Sequence, residues 1–243
     1  MPDTTIVFIH GGQHTKGCWD PTVEALRAIR PGAKVLALDL PGHGDEPGDL
    51  GTLTIARCVE SVVTRIQAAK ARQVVLVGHS MAGITMPGVA ARLGCGVVRR
   101  MIFLACCIPP NGKTVLDTLH QPMRFIARRA ARRNPVAPPL PAALASWVFA
   151  NGMSREQKAR VHKALCPEST TVTVEPVFRE PLPGIATCWI LTLRDRALRP
   201  LVQRSFIANL GGVDEVVALD TCHDAMISEP VELARIILER CGG

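Results

Sequence analysis

A chain of 243 residues that is 47% hydrophobic has enough apolar material for one large α/β domain with a small insertion, and suits that better than two independent domains. The formal charge is +7, yet there is no tyrosine, aromatics make up only 4%, and no recognition motif can be placed, which argues against a nucleic-acid partner. Nine cysteines, an odd number without a C-x-x-C pair, disfavour a disulfide framework and a zinc site and predict reduced thiols in a cytoplasmic protein. The first residues lack a secretory signal, and no apolar run reaches the length of a membrane span, so stable membrane insertion is not expected.

Strand and helix signals then alternate along the chain. Thr5 to Ile9 predicts a buried strand, followed by the turn His10-Gly11-Gly12-Gln13 and a helix over Asp20 to Ile29. Lys34 to Leu38 predicts the second strand, followed by the Pro41-Gly42-His43-Gly44 loop and a helix over Thr54 to Lys70. Val74 to Val77 is the third, running into Gly78-His79-Ser80-Met81-Ala82-Gly83 and a helix over Gly83 to Leu93. Arg100 to Ala105 is the fourth and ends at Cys106-Cys107, a vicinal pair read as core packing rather than redox chemistry. Residues 108–184 then break the alternation, with Pro109-Pro110, the proline-rich run Asn134 to Pro141, and helical pieces over Ala142 to Phe149 and Ser154 to Leu165. Thr187 to Leu193, a helix over Leu201 to Leu210, Glu215 to Leu219 and a helix over Val231 to Arg240 complete the chain.

Short Val-, Ile- and Leu-rich strands separated by helices predict a doubly wound, mostly parallel sheet. The core is expected over residues 1–107 and 185–243, with residues 108–184 forming a helical lid and not a separate domain.

The stretch around Ser80 carries the chemistry. It reads G-x-S-x-A-G between a β-branched strand and a helix, where a serine is presented at the tip of a sharp turn and small neighbours relieve crowding. The duller alternative is a Gly-Ser turn in which Ser80 only caps the helix. A serine nucleophile needs a base, and the base an orienting acid. His223 follows the last strand and so falls at the carboxyl edge of the sheet, the edge that presents Ser80. His43 is the competing base; His14, His120 and His162 read as ordinary lid or loop residues. Asp195 follows the fifth strand and is the expected acid, against the alternative of a surface pair with Arg194 or Arg196. An oxyanion needs two donors, and the amides of Gly12 and Met81 are placed to supply them. No metal and no cofactor are expected.

The lid's Met123, Phe125, Leu144, Trp147, Phe149 and Met153 either line a substrate pocket or fill the lid's own small core; Phe125, Trp147, Gly11 and Met226 are the pocket residues carried forward. Arg124, Arg128, Arg129, Arg132 and Arg133 recur at helical spacing. They read as a solvated helix face or as a site for an anionic partner, either a charged substrate or an acidic membrane surface.

Taken in order, Phe8-Ile9-His10-Gly11-Gly12, Ala37-Leu38-Asp39-Leu40-Pro41-Gly42-His43-Gly44, the Ser80 motif, Leu193-Arg194-Asp195 and Cys222-His223-Asp224-Ala225-Met226 resemble the ordered motifs of α/β-hydrolase fold proteins. They are most similar to the small-lid branch that holds plant methyl-ester esterases, hydroxynitrile lyases and pyrethroid-hydrolase-like carboxylesterases. The resemblance implies a serine hydrolase of small to medium carboxylic esters, with a thioesterase or lactonase as the alternative. It also implies a small-molecule ester as the partner and leaves a homodimer open. Lyases of that branch carry threonine where this chain has Gly11, and lysine where it has Asp224. An aspartate would repel a leaving cyanide, so lyase chemistry is disfavoured. A non-catalytic ligand-binding protein is the remaining, weaker reading.

Overall fold

The computed structural model describes residues 4–181 and 184–241. Six strands, β1 (Thr4–Ile9), β2 (Lys34–Leu38), β3 (Gln73–His79), β4 (Val98–Leu104), β7 (Ala186–Thr192) and β8 (Glu215–Leu219), form one sheet in the order β2-β1-β3-β4-β7-β8. Every pairing is parallel, with Val7 opposite Leu76, Val77 opposite Ile102, and Ile190 opposite Val217. Parallel strands need crossovers, and the helices that make them cover both faces.

Alternate residues of each strand therefore enter different layers. Val7, Ile9, Leu76, Met101, Phe103, Trp189 and Leu191 pack with residues of α2 (Ile55–Ala68), α3 (Met86–Leu93) and α8 (Pro200–Asn209). Ile6, Phe8, Val75, Val77, Ile102, Leu104 and Ile190 pack with α1 (Asp20–Ile29), α9 (Ala225–Ser228) and α10 (Pro230–Arg240). Burying each such side chain contributes about 1.5–3 kcal/mol before the entropy of ordering is subtracted. Trp189 is fully buried, and its indole N–H donates to Gln203 Oε1 at 3.2 Å. All nine cysteines are free, and Cys106 and Cys107 are buried in the first of these layers.

The segment between β4 and β7 rises over the carboxyl edge of the sheet. It contains α4 (Met123–Arg133), α5 (Ala142–Val148), α6 (Arg155–Ala164) and α7 (Thr171–Val174), and a two-stranded antiparallel ladder, β5 (Val136–Ala137) with β6 (Glu168–Ser169). No helix among the described residues is long and apolar enough to cross a membrane. The helix expected to start at Gly83 instead opens as a 3-10 turn over Ser80–Ile84, and α3 begins at Met86 with Pro87 in its first turn. Proline fixes a helical φ and lacks an N–H, so it is accommodated where a helix begins.

Candidate active site

Because all six strands run the same way, their last residues (Ile9, Leu38, His79, Leu104, Thr192 and Leu219) lie along one edge. The loops that follow them carry every residue of the site. Ser80 comes directly after β3 with φ +50°, a left-handed conformation that costs a non-glycine residue about 1–3 kcal/mol and is held only where its surroundings demand it. Its carbonyl accepts the Cys107 amide at 2.8 Å. Neighbouring backbone comes so close that a β-carbon on Gly11 would lie 2.8 Å from Ser80 Cβ and 3.0 Å from the His79 carbonyl oxygen.

His223, in the loop after β8, brings Nε2 to 3.0 Å from Ser80 Oγ. Its Nδ1 lies 2.7 Å from Asp195 Oδ2. Asp195 is 3% exposed and held on both oxygens. Oδ1 accepts the amides of Ala197 at 2.8 Å and Leu198 at 2.7 Å. Oδ2 also accepts Thr192 Oγ1 at 2.8 Å and, more weakly, Gln203 Nε2 at 3.4 Å. Five donors converge on this one carboxyl and fix its orientation. Arg194 turns away and pairs with Asp220 at 3.1 Å. Burial works to lower the pKa of His223, but the charge and hydrogen bond of Asp195 and the charge of Asp224 outweigh it and raise the pKa above the ordinary histidine value.

Three other imidazoles surround this arrangement. His79 Nε2 donates to the His223 carbonyl at 3.1 Å, and its Nδ1 is buried without a partner. Burial, then His223 and His14, hold His79 well below the usual pKa, as a neutral ring. His10 Nε2 accepts the Leu40 amide at 3.0 Å, leaving Nδ1 to donate to the Gly11 carbonyl; burial, then His43, lowers it to about 4. His14 is 1% exposed, not an ordinary loop residue as expected, and its Nε2 lies 3.1 Å from Asp224 Oδ2. Burial opposes charge on His14, and Asp224 overcomes it, so its pKa is raised. His43 contacts Glu168, with Nε2 at 3.2 Å from Oε2, and not Ser80. His162 bonds Ser146 on the lid at 2.7 Å.

Among the described residues, His79, His223 and Asp224 bring possible metal-ligand atoms within 4.8 Å of one another. Both ring nitrogens of His223 are already engaged by Ser80 and Asp195, so an ion there would dismantle this chain of contacts.

Gly11, Gly12 and Met81 border a cavity of about 20 Å³ that is also lined by His43 and Glu168, room for about one water-sized guest. Of the four pocket residues expected from sequence, Gly11 is the one that reaches it. Phe125 is 64% and Trp147 54% exposed. Phe125 lies on α4, which buries none of its residues, and Trp147 packs under the Arg196 guanidinium at 5.5 Å. Met226 is wholly buried in the core layer beneath the site, where its carbonyl accepts Thr22 Oγ1 at 2.9 Å. Besides Glu168 at that cavity, Phe149 of the lid approaches the site, stacked on the His223 ring at 5.4 Å, with its carbonyl accepting the Asp224 amide at 3.2 Å. The contacts of His14 with Asp224 and of Gln13 with Glu168 carried no local sequence signal, because their partners are 210 and 155 positions away.

Comparison with known proteins places this architecture. The alpha/beta hydrolase family profile matches residues 6–236. A probable esterase of Oryza sativa subsp. indica is 36% identical over 124 residues, 49% of this chain and 45% of its own length. A carbendazim hydrolyzing esterase of Nocardioides sp. is 31% identical over 114 residues, 46% of each chain. The match thus spans about half the length of these curated relatives. Among solved structures, a pyrethroid hydrolase from Sphingobium faniae superposes with a TM-score of 0.75 at 25% identity, over 97% of this chain and 96% of its own.

Proposed function

From the premise that the chain belongs to the alpha/beta hydrolase family, we propose that it is a serine hydrolase that cleaves small to medium carboxylic esters through an acyl-enzyme. The observation that carries this reading is the continuous contact from Ser80 Oγ through His223, 3.0 Å on one side and 2.7 Å on the other, to Asp195. The esterase names of relatives that match half of the chain add support.

Neutral His223 takes the hydroxyl proton as Ser80 Oγ attacks the ester carbonyl, and Asp195 holds the tautomer and balances the imidazolium. The charge that develops on the carbonyl oxygen is met by the Gly12 and Met81 amides, fixed in place before the reaction. His223 then protonates the leaving alcohol, and water activated by the same imidazole releases the acid. Lyase action on a cyanohydrin is disfavoured, because the position after His223 holds Asp224, a buried carboxyl paired with His14, and not a lysine that could stabilise a leaving cyanide.

Ser80→Ala should lower turnover of p-nitrophenyl acetate by at least about a thousandfold and abolish labelling by a fluorophosphonate probe. Wild-type turnover in that variant would overturn the reading.

A further inference from the structure

Gln13 follows Gly12 directly and has φ +60°, a left-handed conformation unfavourable for a residue with a side chain. Its four polar groups all bond to the segment inserted between β4 and β7. The amide donates to Glu168 Oε2 at 2.7 Å, and the carbonyl accepts the Cys166 amide at 3.1 Å. In the side chain, Oε1 accepts the Leu140 amide at 3.0 Å, and Nε2 donates to the Pro138 carbonyl at 3.0 Å.

Glu168 is fixed in turn. It is 8% exposed and sits on the β5–β6 ladder. Its Oε1 accepts the Ser169 amide at 2.8 Å, and its Oε2 lies 3.2 Å from His43 Nε2. A β-carbon on Gly12 would be 3.3 Å from that same Oε2, so the carboxylate rests against the residue assigned as oxyanion donor. His43 draws the Glu168 pKa below the usual carboxylate range against the opposing effect of burial, which keeps a charged acceptor under the Gln13 amide.

We propose that Gln13 and Glu168 are positioning residues through which the cap holds the oxyanion loop in its working shape. The proposal rests on the assignment of Gly12 as a donor in the ester hydrolysis above. A loop with a left-handed residue next to its donor tends to relax toward commoner backbone angles, and relaxation rotates the Gly12–Gln13 peptide plane, which shares the Gly12 Cα with the plane that carries the donor N–H. Four bonds from a separate segment oppose that rotation. A donor stabilises a tetrahedral oxyanion only when aimed at it to within a fraction of an ångström. Cap seating then bears on catalytic competence: the Gly12 carbonyl is held from within the core by His14 Nδ1 at 2.7 Å, and the docking of residues 138–168 on Gln13 completes the hold on the loop.

The test compares Gln13→Ala, Glu168→Ala and the double variant with wild type and Ser80→Ala. It measures kcat and KM for p-nitrophenyl acetate and inhibition by a trifluoromethyl ketone, whose adduct with serine bears an oxyanion. Each single variant should lose about 10- to 100-fold in kcat, with KM changed by less than about threefold, and should bind the ketone proportionately more weakly. The double variant should fall no further than the worse single, because both act through one amide. Glu168→Gln, which keeps a carbonyl acceptor, should recover most of the rate, and Gln13→Asn reports the same loss if an alanine variant does not fold. Wild-type kcat in the single variants, or losses that multiply in the double variant, would overturn the proposal while an inactive Ser80→Ala leaves the hydrolase reading intact. An active Ser80→Ala would remove both.

Discussion

Replacing Asp195 by asparagine tests the electrostatics of the site with almost no change of shape. The carboxyl accepts from Ala197 and Leu198 on Oδ1 and from His223, Thr192 and Gln203 on Oδ2. An asparagine must turn its NH2 toward one of these sets. Facing the two backbone amides, it would oppose two buried donors at a cost of about 1–3 kcal/mol for each unsatisfied group. Facing His223 it finds a ring nitrogen that can accept, and Thr192 Oγ1 can reorient to accept as well. The second orientation therefore wins. It forces the proton of His223 onto Nε2, which then donates to Ser80 Oγ and can no longer receive from it. The positions survive and the base is lost. The comparable tautomer error in a serine protease costs about 10⁴ in kcat, equivalent to about 5 kcal/mol of barrier. Steady-state hydrolysis of p-nitrophenyl acetate, alongside thermal unfolding to show that the variant is folded, measures this directly. A folded Asp195→Asn enzyme within tenfold of wild type would refute the reasoning.

Two further outcomes follow from the same geometry. In Gly11→Ala the new methyl would meet Ser80 Cβ at 2.8 Å and the His79 carbonyl at 3.0 Å, so the nucleophile or the loop must shift by about half an ångström, and kcat should fall about 10- to 100-fold; Gly32→Ala, with nothing within 4 Å, serves as the control that should not change. The pH profile of kcat/KM should have its acid limb above the ordinary histidine pKa of 6.5, because His223 must be neutral to act and Asp195 raises its pKa against the effect of burial; an acid limb at or below 6.5 would contradict the charge balance described for the site.

The parts of the site that the sequence made legible are those fixed by strand ends. A buried parallel strand announces itself by its apolar run, and the residue just beyond it must lie at the carboxyl edge. Ser80, Asp195 and His223 could therefore be assigned to one place without knowledge of how the loops fold. The sheet order depends on crossovers that local pattern does not encode. The lid was less legible for a physical reason. The longest of its helices, α4, buries none of its residues, so apolar residues there gave no reliable sign of which way they face. Phe125 and Trp147 point outward while Phe149 covers the imidazole. His14 resembled a loop histidine because its burial is made by Asp224 and Phe149, neither of them near in sequence.

The imidazole at position 79 ties the interior together in a way that bears on how such an enzyme diversifies. Belonging to the strand that leads into Ser80 and bonded to the His223 carbonyl, it acts as an internal strut between positions 80 and 223 that uses no residue of the inserted segment. Gln13, by contrast, has its polar ties in the inserted segment. Exchanging that segment between relatives would then alter the strength of the catalyst as well as the guests it admits, and would change the aromatic cover that Phe149 gives His223, whereas the strut between positions 79 and 223 would carry over.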